Sequence, residues 1–546
     1  MKTHRTPSAN RRITSAGPYR LTAVRALLVL MAGAMVALWL TPGASAAASH
    51  ALIQGSGSSW SSNAVDQWIS DVDANGLQVV YTPSGSANGR RDFALKTTDF
   101  AVSEIGYQGR DPITQQQDTS LGRPYAYMPI VAGGTSFVYQ IKVGGRQITN
   151  LRLSGETLAK IFTNQITNWD DPAITKDNNG KKLPSLPIIP VVHAEGSGST
   201  AQLTKYFAAE YPSIWRPFAG SSEWTEYYPR KGNAIAQTGS DGMMNFITAA
   251  SSNGAIGYVE YSYALGKNYP VVKLLNKAGY YTLPSQFNVA VSLTKAIINE
   301  DKSSPDYLLQ DLHNVYTYND PRTYPLSSYS YMIIPTSPTD PKMTTAKRQT
   351  LADFLYYDIC QGQQEVGAIG YSPLPVNLVE AGFGQIGKLK QADKNVDLTK
   401  RNVSTCHNPT FIPGKPNENY LAKIAPMPKA CDKVGAGPCT TSDPGTGPVN
   451  NPNAGGSGGN GNTGTGGNGN TGTGPSGVVD PITGQPPAGG AAISSSSVYA
   501  VPTELAGYRK PRSSLLLPVG AVALLLLALG LPPVLSRRRS SGSGGA

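Results

Sequence analysis

Short apolar runs alternate with amphipathic stretches between residues 49 and 440. Residues 79–81 and 188–192 are apolar or aromatic runs of strand length. Residues 65–72 carry apolar side chains three or four positions apart, which is the spacing of one helical face. Strands that alternate with helices are typical of α/β proteins. The pattern therefore predicts an α/β fold for this part of the chain.

The tripeptide Ser-Gly-Ser occurs three times, at 56–58, 84–86 and 197–199, each time ahead of a predicted helix. A helix N-terminus has unpaired N–H groups and a partial positive charge, and therefore attracts anions. Glycine lets a ligand approach the backbone, and serine adds a hydroxyl donor. Three such ends directed at one point predict a site for a small tetrahedral oxyanion. The alternative is that each serine only caps its helix.

The N-terminal residues 1–46 have the features of a secretory signal peptide. Several basic residues precede an apolar run over 26–40, and Ala44, Ser45 and Ala46 supply small residues for cleavage. We therefore expect the remainder of the chain to be exported.

The C-terminal part predicts a tether and a membrane anchor. Residues 441–512 are rich in Gly, Asn and Thr and are expected to form a disordered linker. Residues 514–535 are almost entirely apolar and long enough for one transmembrane helix. The arginines in 536–546 place this tail on the cytoplasmic side and the body of the protein on the extracellular face. A cleaved sorting signal or a GPI-type tail is the alternative.

The formal net charge of +11 arises at the two ends of the chain. Six basic residues precede residue 47, and six more lie between Arg509 and Arg539. Residues 47–440 are close to neutral, so we expect no nucleic acid among the partners.

All four cysteines lie late in the exported body. An even number of cysteines in an oxidising compartment predicts disulfides. Cys431 and Cys439 flank a turn-rich spacer, which favours pairing them with each other and leaves Cys360 to pair with Cys406. A zinc site is the alternative, but the chain contains no Cys-x-x-Cys motif, and no metal site is expected.

The Ser-Gly-Ser copies belong to longer motifs in a fixed order. Residues 55–60 read GSGSSW, the second copy is followed by TDFAVSE at 98–104, and the third lies in VVHAEGSGS at 191–199. In this order the motifs resemble those of the PstS family, the phosphate-binding proteins of bacterial ABC phosphate transporters. The resemblance spans about residues 52–380.

This resemblance implies a two-lobed periplasmic-binding-protein fold of type II, with the anion held in the cleft. The binding domain would cover 49–440, with a first lobe at about 49–130 and 295–420 and a second lobe at about 131–294. Carried over residue by residue, the ligand positions are Ser59, Trp60, Ser86, Glu104, His193, Ser197, Gly198 and Ser199.

Two of these positions differ from the family in their charged groups. Glu104 stands where the family has Asp, so its carboxylate reaches one methylene further and we expect a reshaped pocket. His193 replaces an Arg, so two parallel charged donors become one donor whose charge varies near neutral pH. Glu195 is expected to orient the imidazole. We expect weaker phosphate binding than in the family, and stronger binding at lower pH.

Arg90 and Arg91 follow the second Ser-Gly-Ser copy. We expect both to be solvated surface residues. The alternative is that they supply the positive charge that is missing at position 193.

The resemblance implies a monomeric, extracellular substrate-binding protein that captures phosphate, or a related protonated oxyanion, for an ABC importer. Its partners would be the permease subunits, and no cofactor is implied. A surface-displayed scaffold or adhesion protein that has kept the fold and lost the ligand is the alternative. An enzyme is not expected, because the glycine loops lack the Gly-x-Ser-x-Gly order of a nucleophile elbow and the lysine of a P-loop.

Overall fold

A computed structural model describes residues 50–399 and 401–439. The predicted signal peptide, linker, transmembrane helix and cytoplasmic tail lie outside these residues. None of the helices in the described part of the chain has the length and apolar character that a membrane crossing requires.

The strands are numbered in chain order. They are β1 (Ile53–Gly57), β2 (Val79–Thr82), β3 (Phe100–Ser103), β4 (Gly109–Arg110), β5 (Gln117–Asp118), β6 (Tyr125–Tyr139), β7 (Lys142–Val143), β8 (Arg146–Gln147), β9 (Arg152–Leu153), β10 (Ile189–His193), β11 (Ile235–Gln237), β12 (Ala255–Glu260), β13 (Lys273–Leu275), β14 (Tyr281–Thr282), β15 (Ile297–Ile298), β16 (Gln310–Asp311) and β17 (Ser327–Pro335).

The α-helices are numbered in the same way. They are α1 (Ser62–Asp73), α2 (Ser86–Ala94), α3 (Gly155–Phe162), α4 (Pro172–Asp177), α5 (Gly198–Glu210), α6 (Pro212–Ala219), α7 (Gly239–Thr248), α8 (Tyr261–Gly266), α9 (Gln286–Leu293), α10 (His313–Tyr316), α11 (Thr345–Ile359), α12 (Val366–Ile369), α13 (Val376–Ala392) and α14 (Tyr420–Ile424). Short 3₁₀ turns lie at Gln361–Gln364, Val403–Thr405 and Ala430–Asp432.

Eight strands form one mixed sheet in the order β11-β10-β12-β6-β17-β3-β1-β2. β1 is parallel to β2 and β3, and β10 is parallel to β11 and β12. β6 and β17 run antiparallel to their neighbours in the centre. The predicted α/β class is confirmed, and the arrangement is a type II periplasmic-binding-protein-like fold.

The long central strand β6 divides the sheet into two halves. Its residues up to Gly134 pair with β17, whereas Thr135 to Tyr139 pair with β12. We call the part built on β1, β2, β3 and β17 the first lobe, and the part built on β10, β11 and β12 the second lobe. β6 belongs to both lobes and therefore connects them directly.

Helix α1 shows how the hydrophobic pattern places a helix on the sheet. Ala64, Val65, Trp68 and Val72 lie on one side of the helix and are buried, while the other side is polar. These side chains belong to the same hydrophobic core as Ile53 of β1. Burial of an apolar helical face against the sheet is what stabilises such a layer.

Both expected disulfides are present. Cys360 at the end of α11 is bonded to Cys406, and Cys431 is bonded to Cys439. Asp432 lies close enough to the second pair to suggest a metal site, but both sulfurs are used by the disulfide. Asp432 also pairs with Lys273 at 2.9 Å. The zinc alternative is therefore wrong for these cysteines.

Candidate functional site

The predicted ligand loops lie at the carboxyl ends of parallel strands. Residues 58–61 follow β1, residues 83–85 follow β2, and Glu104 follows β3. In the second lobe, residues 194–197 follow β10 and lead into α5. Ligands of α/β proteins bind at this edge of the sheet.

The loops of the two lobes contact each other directly. The Gly198 N–H donates to the Ser86 hydroxyl at 3.1 Å, and the Ala87 N–H donates to the Gly196 carbonyl at 3.2 Å. The second and third Ser-Gly-Ser copies are therefore adjacent, each at the start of its helix. The first copy differs from the expected arrangement, because Ser56 and Gly57 end β1 and α1 begins only at Ser62.

The Glu104 carboxylate lies at the centre of these loops. Its Oε1 accepts hydrogen bonds from the Ser58 hydroxyl at 2.5 Å and the Ser330 hydroxyl at 2.8 Å. Its Oε2 accepts one from the Ser86 hydroxyl at 2.8 Å. The side chain is fully buried. Three hydroxyl donors of the kind an oxyanion would use are thus directed at a carboxylate of the protein itself.

The same carboxylate lies against the first residue of α5. A Cβ atom built on Gly198 would be 2.0 Å from Glu104 Oε2 and 2.8 Å from Ser86 Oγ. The carboxylate therefore occupies the space next to the positive end of α5, where an anion is stabilised. An aspartate at this position, which the resemblance implies for the family, would end one methylene further from this helix.

Burial raises the pKa of Glu104, and its hydrogen bonds with Ser58, Ser330 and Ser86 oppose that rise. Because desolvation is the largest cause, the carboxyl group takes up a proton at a higher pH than an exposed glutamate does. A protonated carboxyl group would be a donor as well as an acceptor.

Ser59 and Trp60 have other contacts. The Ser59 hydroxyl accepts a hydrogen bond from the Ser240 N–H at 3.0 Å, at the start of α7. The Trp60 N–H donates to Ser58 Oγ at 3.0 Å, and its indole donates to Thr135 at 3.1 Å. Within this loop Ser58 contacts Glu104. The resemblance to the PstS motifs implied Ser59 and Trp60 as ligand positions and did not include Ser58.

The start of α5 carries the other predicted positions. The Ser197 hydroxyl caps the helix by accepting from the Thr200 N–H, as the capping alternative expects. Ser199 is buried, and among the described residues neither its N–H nor its hydroxyl makes a hydrogen bond. Ser199 therefore offers two donors to a ligand.

His193 ends β10 and is held by Glu195. Its Nδ1 lies 2.8 Å from Glu195 Oε1, and this carboxylate also accepts from the Gly239 N–H at 3.1 Å. Burial alone would raise the pKa of Glu195, but the hydrogen bond and charge of His193 lower it below its ordinary value. The Nε2 atom of His193 is buried and has no partner among the described residues. The imidazole is therefore oriented by a carboxylate and retains one unused nitrogen.

Arg90 is not a surface residue, which corrects the sequence-based expectation, whereas Arg91 is exposed. The Arg90 side chain is fully buried, with hydrogen bonds to Ser103, Asp118 and Glu226. An arginine can be buried in this way because carboxylates neutralise it. These contacts direct the Arg90 charge at Asp118 and Glu226 and not at His193.

Comparison with known proteins agrees with the fold. Residues 43–361 match the family model of the PBP superfamily domain. The phosphate-binding protein PstS of Xylella fastidiosa (strain Temecula1) is 29% identical over 333 residues, which covers 60% of this chain and 83% of the relative. PstS of Pasteurella multocida (strain Pm70) is 29% identical over 342 residues, covering 60% and 88%. PstS 2 of Mycobacterium tuberculosis (strain H37Rv) is 28% identical over 330 residues, covering 59% and 83%.

A solved structure of a high affinity periplasmic phosphate-binding protein (PfluDING), bound with phosphate at pH 8.5, is 17% identical to this chain. The match covers 64% of this chain and 100% of that chain, with a TM-score of 0.47. The resemblance to the PstS family seen in the motifs is confirmed by the curated relatives. Because the family model matches more than half of its length, the chain belongs to the PBP superfamily, and within it the chain is similar to the PstS proteins.

Proposed function

We propose that this protein captures phosphate at the extracellular face of the cell membrane and delivers it to an ABC importer. The observation that carries the proposal is the buried cluster in which Ser58, Ser86 and Ser330 surround Glu104 beside the start of α5. The names of the PstS relatives support phosphate as the ligand.

The buried carboxylate explains how the site selects its anion. Hydrogen phosphate retains an O–H group that can donate to the ionised Glu104 carboxylate, whereas sulfate at neutral pH has no proton to donate. A fully ionised anion beside a buried carboxylate is repelled at a cost of several kcal/mol. The site therefore favours a protonated oxyanion.

The ligand competes with Glu104 for the donors of the site. In the proposed complex the Ser86 hydroxyl and the Gly198 N–H turn to the anion, and Ser199 contributes its N–H and hydroxyl. The Glu104 carboxylate withdraws from Gly198 and accepts a hydrogen bond from the O–H group of the ligand. The buried Nε2 of His193 adds a charged donor when the imidazole is protonated. Ser59, Trp60 and Ser197 position the loops.

The proposed location of the protein is the extracellular face of the membrane, with one C-terminal anchor. The signal peptide at 1–46 exports the chain, and the span at 514–535 anchors it with the linker 441–512 as a tether. The binding domain acts as a monomer and meets permease subunits in the same membrane.

A titration of the full-length protein in detergent with phosphate and with sulfate tests this function. At about pH 6 we expect phosphate to bind, and we expect sulfate to bind about a hundredfold more weakly or not at all. The reason is that only phosphate has an O–H group that can donate a hydrogen bond to Glu104. Isothermal titration calorimetry reports both constants. Absence of phosphate binding at millimolar concentration, from about pH 5 to pH 7.5, would contradict the proposal and favour the scaffold alternative.

A further inference from the structure

Arg90 has contacts that an arginine on the outside of a helix does not make. It lies one helical turn after Ser86 in α2, on the same face of the helix. Its Nη1 donates to the Ser103 hydroxyl at 2.9 Å, its Nε donates to the Asp118 carboxylate at 2.9 Å, and its Nη2 donates to Glu226 Oε1 at 2.5 Å. One guanidinium group therefore reaches three separate segments of the chain.

The contact with Ser103 fixes the backbone around Glu104. Ser103 is the last residue of β3, and its hydroxyl also donates to the Ile105 carbonyl at 2.7 Å. Glu104 lies between these two residues. Arg90 thus holds the turn from which the carboxylate of the candidate site projects.

The contact with Glu226 reaches the second lobe. The Glu226 carbonyl accepts a hydrogen bond from the Ser197 N–H at 2.9 Å, and Ser197 caps α5. The adjacent Thr225 hydroxyl donates to Asp111 at 2.9 Å. The loop at 225–226 therefore joins the start of α5 to the segment that follows β3.

We propose that Arg90 is a positioning residue that couples ligand binding to lobe closure, by tying the Glu104 turn of the first lobe to the loop that holds α5 in the second. The inference rests on the proposed function. Arg90 does not touch the ligand. It acts by keeping Glu104 and the N-terminus of α5, which lie on either side of the ligand, at a fixed distance from each other.

The charge balance around Arg90 predicts what its loss would do. The carboxylates of Asp118 and Glu226 bind the buried Arg90 directly, and Asp111 accepts a hydrogen bond from the Glu226 N–H. The charges of Arg90 and Glu226 also act on the Lys205 ammonium group, in opposite directions. Burial raises the pKa of Glu226 to about 7, and the charge of Arg90 opposes that rise. Without the guanidinium, Glu226 would be a buried carboxylate that has lost its hydrogen-bonded cation, which is unfavourable in the closed arrangement. Separation of the lobes would let Glu226 reach water.

A double-mutant cycle in the full-length protein, with phosphate as the probe, tests the inference at about pH 7.5. We expect Arg90→Met to weaken phosphate binding about a hundredfold. Glu226→Gln should restore about tenfold of that loss in the double variant, because it removes the unpaired charge on the opposite lobe. Arg90→Lys keeps the charge and replaces Arg90→Met in the test if that variant does not fold. Its phosphate affinity should lie between those of Arg90→Met and the wild type. Arg91→Met, on the same helix and exposed, is the matched control and should bind as the wild type does.

The outcomes separate this inference from the function on which it rests. If the wild type does not bind phosphate, the proposed function fails, and the role of Arg90 fails with it. If the wild type binds but Arg90→Met binds equally well, the inference alone is wrong. It is also wrong if Glu226→Gln leaves the affinity of Arg90→Met unchanged or lowers it further, since a purely structural role of Arg90 within the first lobe gives no rescue from the second lobe.

Discussion

Replacing Gly198 with alanine is expected to weaken phosphate binding by about a hundredfold or more. The new methyl group would lie 2.0 Å from Glu104 Oε2 and 2.8 Å from Ser86 Oγ, so at least one of these groups must move. It would also project into the space that the anion needs beside the Gly198 N–H. Overpacking costs about 1–3 kcal/mol, and a lost hydrogen bond to a charged ligand costs about 1.5–3 kcal/mol. Titration calorimetry with phosphate measures the loss.

The matched control for this variant is Gly384→Ala. Gly384 lies inside α13, and a Cβ atom there would meet nothing within 4 Å. We expect unchanged phosphate affinity and a free energy of unfolding higher by about 0.5–1 kcal/mol, because alanine is the better helix former. Phosphate affinity equal to that of the wild type in Gly198→Ala would show that the ligand lies elsewhere.

Shortening Glu104 to aspartate is expected to strengthen phosphate binding about tenfold. Removal of one methylene retracts the carboxylate by roughly 1.5 Å from Gly198. The Ser86 hydroxyl and the α5 terminus then become available without first displacing the carboxylate. An acceptor for the ligand proton is retained, so sulfate should still be rejected.

Glu156→Asp is the control for the loss of a methylene from a glutamate. Glu156 is exposed in α3 and pairs with Lys160 one turn later, far in sequence from every ligand loop. This variant should bind phosphate as the wild type does. Weaker binding by Glu104→Asp would mean that the glutamate in its present position contributes to phosphate affinity. The proposed competition between the Glu104 carboxylate and the ligand would then be wrong.

The sequence predicted the parts of the site that depend on local patterns. Strand, glycine loop and helix follow one another within a few residues, so the loops at Ser86 and Gly198 could be placed at strand ends from the amino-acid pattern alone. The disulfides followed similarly from cysteine spacing, as the bond between Cys431 and Cys439 illustrates.

Contacts between distant segments had no such signal. Ser330 reaches Glu104 only because β17 is the neighbour of β3 in the sheet, although 226 residues separate the two in sequence. The burial of Arg90 had no local signal, because Glu226, one of the two carboxylates that neutralise it, lies 136 residues away. The substitution at Glu104 was visible in the sequence, but the direction of its additional methylene depends on where α5 begins.

The central claim is that an oxyanion binds where Ser86, Gly198 and Glu104 meet. A crystal structure of the protein with arsenate, which has the shape and protonation of phosphate, tests it most directly through the anomalous scattering of arsenic. We expect one arsenic peak within about 4 Å of Ser86 Oγ and the Gly198 nitrogen, with an arsenate oxygen in hydrogen-bond contact with Glu104. An arsenic peak at another place, with Glu104 still against Gly198, would contradict it.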